Sequence, residues 1–327
     1  KFKDIKGIGW YVSEFNRAQI SINFNNYKLS TIHNVYDEVC KLAIERGLRV
    51  TGSELVGLIP LDALLMAGKH YLKKQKRFVG VPEIDIIDCA IQSLGLNDVT
   101  EFDINKKIIE YAVKKEKRDL ITLRGKDFIK ELSRNSPAPG GGSVSALIGA
   151  LGAALGSMVA SLSFEKKELF NNRSIVSEIG IESQSLIEKL MWLVDEDTIA
   201  FNKVISANRL SSLTLKDKEI KDKAIINANK YALEVPLKTA RHCLKILELI
   251  SNLINYCNPN SISDAGVAAE VSLAGLRGAC MNVLINIFSI KDENYCKDKQ
   301  QEVEQLILEA EKKHAFIYNK IMKSLKS

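Results

Sequence analysis

Between Asn135 and Phe164 the chain carries no charged side chain. A helix without a polar face cannot lie on a water-facing surface, so the rest of the fold must cover this segment. A bilayer or the protein itself could do so. The segment opens with Pro137, Pro139 and the glycines Gly140 to Gly142, continues with many Gly, Ala and Ser residues, and lacks a Lys/Arg bias at its flanks. What remains is about 20 residues of weak apolarity, poor material for a membrane span. The expectation is a buried, closely packed helix over 143–164. Gly149, Gly152, Gly156 and Ala160 lie along one of its faces, which permits close helix contact and suggests pairing with another subunit.

Ser136-Pro137-Ala138-Pro139-Gly140-Gly141-Gly142-Ser143 feeds directly into that helix. Free N–H groups and the helix dipole make such a start an anion site, and glycines let a ligand approach. No Gly-Lys-Ser/Thr follows, so it is not a P-loop, and no strand precedes it, so it is not a dinucleotide fingerprint. Alone, its plainer reading is a flexible loop before a small-residue packing helix.

The 327 residues suggest roughly two domains of ~150 residues each. The first part reads as a hairpin over 7–13 and 17–24, a helix from the cap Thr31 to Arg46 with Gly47 as its stop, and a third extended segment, Leu48–Ile59. Helices opened by Pro60 and spanning 82–94 and 104–115 complete an α+β unit close to a ferredoxin-like half. The charged run Lys114-Lys115-Glu116-Lys117-Arg118-Asp119 marks the change, and the boundary is placed at residue 118. Beyond it, 119–327 reads as all-α, with helices over 126–133, 143–164, 169–208, 217–235, 237–255, 264–289 and 299–325. Pro236 separates two of these as a break or kink.

A net charge of +6 is too mild to imply a nucleic-acid partner. Six cysteines show no CxxC spacing and pair with none of the four histidines at a zinc spacing, so free thiols in a reducing compartment, and no metal, are expected. The chain begins Lys1-Phe2-Lys3-Asp4 without an apolar leader, so no secretory signal is visible in it, and the missing Met suggests a chain cut from something longer. A cytoplasmic protein follows.

Leu190, Val194, Asp197, Phe201 and Val204 follow one helical stripe, which sets Asp197 on a core-facing surface while Asp195 and Glu196 point off it. A desolvated carboxyl has a raised pKa and suits general acid work, although pairing with a Lys or capping a neighbouring helix fits the same spacing. Asp264 can be the N-cap or a first-turn acid of the helix that starts at Ser263. Asn282 and Asn286 share a face of that helix, and buried amides need partners, either another helix or a heterocycle's edge.

These motifs together resemble the formiminotetrahydrofolate cyclodeaminase family, whose helical domain is shared by bacterial methenyltetrahydrofolate cyclohydrolases. They are Ser136 to Val144, Val194-Asp195-Glu196-Asp197 with Ala200-Phe201, Ser263-Asp264, and Asn282 to Asn286. Gly7-Ile8-Gly9-Trp10-Tyr11, Ala18 to Ser21, Gly52 to Pro60 and Ile108 to Tyr111 resemble the C-terminal subdomain of glutamate formiminotransferase. The order matches the bifunctional formiminotransferase-cyclodeaminase family of histidine breakdown. The resemblance implies Asp197 as the catalytic group, with Gly140, Gly141, Gly142, Ser143, Asp264, Asn282 and Asn286 around the folate. It also implies tetrahydrofolate as the substrate carrier, a homo-oligomer built from dimers, and a cytoplasmic location. Neither His33 nor His70 lies in the matching motif, so no transferase role passes to them. The transferase's catalytic subdomain is expected to be missing from this chain. Lys69, Lys73, Lys74, Lys76 and Arg77 form a basic helix end that suits a polyglutamyl tail, though a solvated face is the plainer reading.

Overall fold

The computed structural model describes residues 2–113 and 119–326, apart from the side chain of Phe15. Residues 114–118, which hold the expected boundary at 118 and all of the charged run but Asp119, lie outside the described residues. The chain divides into two compact units, Lys1–Glu116 and Lys117–Ser327.

In the first unit, alternating apolar residues form the antiparallel strands β1 (Ile5–Val12) and β2 (Arg17–Phe24), in register from Ile5↔Phe24 to Val12↔Arg17. Helices α1 (Ile32–Ile44), α2 (Leu61–Lys74) and α3 (Glu83–Leu94) follow. Gly68 lets α2 meet α3 closely, since a Cβ there would stand 2.0 Å from the Ile86 carbonyl oxygen. Leu64, Ala67, Tyr71, Ile87, Ala90, Ile91 and Leu94 form the core between them.

The third extended segment is not a strand. Gly52 (φ 153°) and Gly57 (φ 86°) turn the backbone where a strand would pleat, and Ser53 N–H donates to the Gly95 carbonyl in a loop. Only Ile59 pairs, as an isolated parallel bridge to Ile108. That bridge holds Ile108 extended and divides the expected 104–115 helix into α4 (Ile104–Lys107) and α5 (Ile109–Ala112).

The second unit is helical, with α6 (Gly125–Leu132), α7 (Gly141–Phe164), α8 (Arg173–Asn208), α9 (Leu215–Leu253), α10 (Ile262–Ile287) and α11 (Glu293–Ser324). The charge-free segment is α7, and its small residues bring helices together on two sides. Gly149 lies against Leu190 and Gly156 near Ser183 of α8, while Gly152 lies against Ser272 and Gly275 against Ser145 across the α7–α10 contact. Paired positions run in opposite directions, so α7 is antiparallel to both neighbours. Glu196–Tyr231 and Glu182–Lys245 contacts show the same for α8 and α9, and Ala232–Asn286 and Asn229–Ser289 for α9 and α10. These four helices form an antiparallel bundle around Leu190, Leu193, Leu233, Leu237, Leu247 and Leu276. Ion pairs Arg241–Glu302 and Arg277–Glu311, each 2.6 Å, bind α11 to α9 and α10.

Pro236 does not divide α9, which runs unbroken through it where two helices were expected. By length and composition, α7 and Pro259–Ile287 could each cross a membrane, but about half of each is buried against protein.

Candidate active site at the glycine-rich helix start

Helix α7 begins after Gly140, a cap without a side chain to receive the first-turn N–H groups. Asp197, arriving from α8, takes that role: its Oδ2 accepts from the Ser143 backbone N–H at 3.0 Å and from the Ser143 hydroxyl at 3.3 Å. The approach depends on Gly142, where a Cβ would stand 2.0 Å from Asp197 Oδ1. The Thr198 hydroxyl reaches Ser143 Oγ at 3.4 Å. Burial raises the Asp197 pKa above the ordinary carboxyl value, outweighing the two Ser143 hydrogen bonds that pull it down. Asp197 therefore caps a neighbouring helix and is desolvated while doing so. Asp197 thereby takes one of the first-turn N–H groups that make this helix start an anion site.

Asn282 joins this site. A Cβ on Gly141 would stand 3.3 Å from its amide nitrogen, and that nitrogen donates to the Gly278 carbonyl at 2.8 Å. Asn286, one turn on, uses its amide elsewhere, donating to the Ala232 carbonyl of α9 at 2.8 Å. Asp264 stands apart: it precedes Asn282 by eighteen positions on α10, about 27 Å along the axis. Within one chain it does not reach the Asp197 cluster.

Asp195 and Glu196 leave the stripe, yet both are buried, at 6% and 4% exposure. Asp195 accepts the backbone N–H groups of Leu120 and Ile121 at 2.9 and 3.1 Å. Glu196 accepts from the Tyr231 hydroxyl and faces Lys203 Nζ at 3.8 Å, and that ammonium lies 4.1 Å from the Tyr231 ring centroid. Spacing missed Tyr231 and Thr198. The three consecutive acids were the available signal that this stretch of α8 needs partners on several sides.

In the first unit, His33 and His70 stack with centroids 4.3 Å apart, and Asp37 bonds His70, Tyr71 and Lys74. Lys74 therefore has a partner within the proposed basic end. The cysteines are free thiols, with Cys243 and Cys280 buried and raised to about 12 by that burial. Among the described residues no group of three His, Cys, Asp or Glu stands as metal ligands would.

Residues 124–305 match the family described as formiminotransferase-cyclodeaminase, and residues 1–114 match the formiminotransferase domain. A formimidoyltransferase-cyclodeaminase of Gallus gallus is 35% identical over 96% of this chain and 58% of its own length. For that of Dictyostelium discoideum the values are 36%, 95% and 57%. The chain thus spans less than two thirds of these relatives. A methenyltetrahydrofolate cyclohydrolase of Methylorubrum extorquens is 34% identical over 59% of this chain and 93% of its own. The crystal structure of formiminotetrahydrofolate cyclodeaminase from Thermotoga maritima superposes with a TM-score of 0.57, at 28% identity, over 62% of this chain and 97% of that one. With its helical unit and its first unit matched in sequence order, the chain belongs to the formiminotransferase-cyclodeaminase family.

Proposed function

We propose that the helical unit closes 5-formiminotetrahydrofolate to 5,10-methenyltetrahydrofolate and releases ammonia. The observation that carries this reading is the desolvated Asp197 carboxyl held by Ser143 at the start of α7. The anilino nitrogen N10 attacks the formimino carbon of the same molecule, so the protein's work is orientation and proton transfer. Attack leaves a tetrahedral carbon bonded to N5, N10 and the amino nitrogen. The N10 proton passes to Asp197 and from it to the amino nitrogen, the C–N bond breaks, and ammonia departs. A carboxylate beside the cationic amidinium also favours the bound substrate. Gly140 and Gly141 give the flat ligand a surface without side chains, Gly142 makes room for Asp197, and Asn282 offers an amide to the pterin or the formimino group.

The test is absorbance of the methenyl chromophore together with ammonia release, using 5-formiminotetrahydrofolate and this chain. Asp197→Asn should slow turnover by about 100-fold or more while folate still binds; undiminished turnover would remove Asp197 from the chemistry. The similarity to a cyclohydrolase supports a second reading, hydrolysis of the methenyl compound. Chromophore loss without ammonia would select it, and stoichiometric binding without turnover would leave a folate-binding protein.

For the whole protein, the match over residues 1–114 supports a second activity, transfer of a formimino group from formiminoglutamate to tetrahydrofolate. The free thiols agree with a cytoplasmic location. The proposed partner is a second copy of this chain. On α7, Leu151, Met158 and Leu162 are exposed, and on adjacent α10 so are Val267, Met281 and Ile285, making an apolar surface along two helices.

A further inference from the structure

A proline inside a helix removes one backbone donor, and here the loss falls beside the candidate site. Pro236 has no N–H to give the Ala232 carbonyl four residues earlier, yet α9 continues through it. The Asn286 amide fills the vacancy from α10, donating to that carbonyl at 2.8 Å. We infer that Asn286 is a positioning residue, which replaces the hydrogen bond missing at Pro236 and thereby holds α10 so that Asn282 faces the start of α7.

The surroundings explain why this bond would matter for the chemistry. Four contacts close a ring around one end of the bundle. Ser143 and Asp197 join α7 to α8, and Glu196 and Tyr231 join α8 to α9. Ala232 and Asn286 join α9 to α10, and Asn282 beside Gly141 returns to α7. Tyr231 and Ala232 are adjacent, so α9 fixes the turn carrying Asp197 and the turn carrying Asn282 from neighbouring residues. The pairing also assigns Pro236 a use. In an ordinary helix the Ala232 carbonyl would already be engaged; the proline leaves it available as an anchor between helices.

The inference rests on the cyclodeaminase reading for its effect on turnover, but not for its effect on stability. Asn286→Ala, Pro236→Ala and the double variant should be compared by thermal unfolding and by kcat and KM for 5-formiminotetrahydrofolate. Asn286→Ala leaves a part-buried carbonyl without a donor, and the unfolding midpoint should fall by roughly 3–10 °C. A displaced Asn282 should lower kcat by about tenfold or more, with KM little changed. Pro236→Ala should stay near the parent, because the new N–H can bond Ala232. In the double variant that N–H does the work of Asn286, so both midpoint and kcat should recover. A double variant as slow as Asn286→Ala, or a raised KM that Pro236→Ala does not correct, would make Asn286 a ligand contact and overturn the inference. Additive losses in midpoint would overturn it as well. A parent chain without turnover would sink the cyclodeaminase reading, while the midpoints alone would still decide the Pro236–Asn286 coupling.

Discussion

Asp197 carries opposing demands, and its stability and activity should respond oppositely to one change. Its pKa is raised in the fold because burial disfavours the charged form. A carboxyl raised on folding is compatible with the fold while protonated, below its unfolded value near 3.8, and becomes a liability as pH climbs through the folded value. Asp197→Asn keeps an acceptor for Ser143 and never ionises. It should unfold at a higher temperature than the parent at pH 7, and that advantage should shrink as pH falls toward 3.8. A midpoint difference independent of pH would mean that Asp197 is not desolvated. The neighbouring glycines supply a second contrast. Gly142→Ala drives a Cβ into Asp197, whereas Gly141→Ala meets only Asn282 at 3.3 Å. Turnover should fall far more for Gly142→Ala, and equal losses would deny the close approach. At this scale the sequence showed Asp197 on an apolar stripe, because helical periodicity is local. It could not show that Ser143, fifty-four positions away, receives it.

Among the elements, periodicity located nearly every helix, and the departures have backbone causes. The 48–59 segment had strand-like composition, but Gly52 and Gly57 at positive φ bend it away from a ladder. Pro236 had the sign of a helix break, and a side chain from α10 repaired what the proline removed. The small face of α7 suggested pairing with another subunit; the structure fills it with α8, α9 and α10 of the same chain. Gly275 is the sharper case, because a Cβ there would stand 2.9 Å from the Ser145 carbonyl, part of a helix backbone that cannot rotate aside. Gly275→Ala should force α7 and α10 apart and cost about 1–3 kcal/mol, read as a lower unfolding midpoint. An unchanged midpoint would mean that the two helices are not so tightly apposed.

For the whole molecule, the exposed apolar residues of α7 and α10 are the proposed contact with a second copy. With a second copy seated there, Met281→Glu should bury a charge at the contact and shift sedimentation toward the monomer; an unchanged mass would place any interface elsewhere. Sequence by itself determined the α+β and all-α halves, the helices and the motifs of the family, because composition and period act within a few turns of chain. Only the tertiary structure decided which motif residues meet. It joined Asp197 and Asn282 to the α7 start, turned Asn286 toward Ala232, and left Asp264 about 27 Å along α10 from Asn282. The physical reason lies in the antiparallel bundle. Residues far apart in sequence share one end when their helices reverse direction, while residues on a single helix remain separated by its rise.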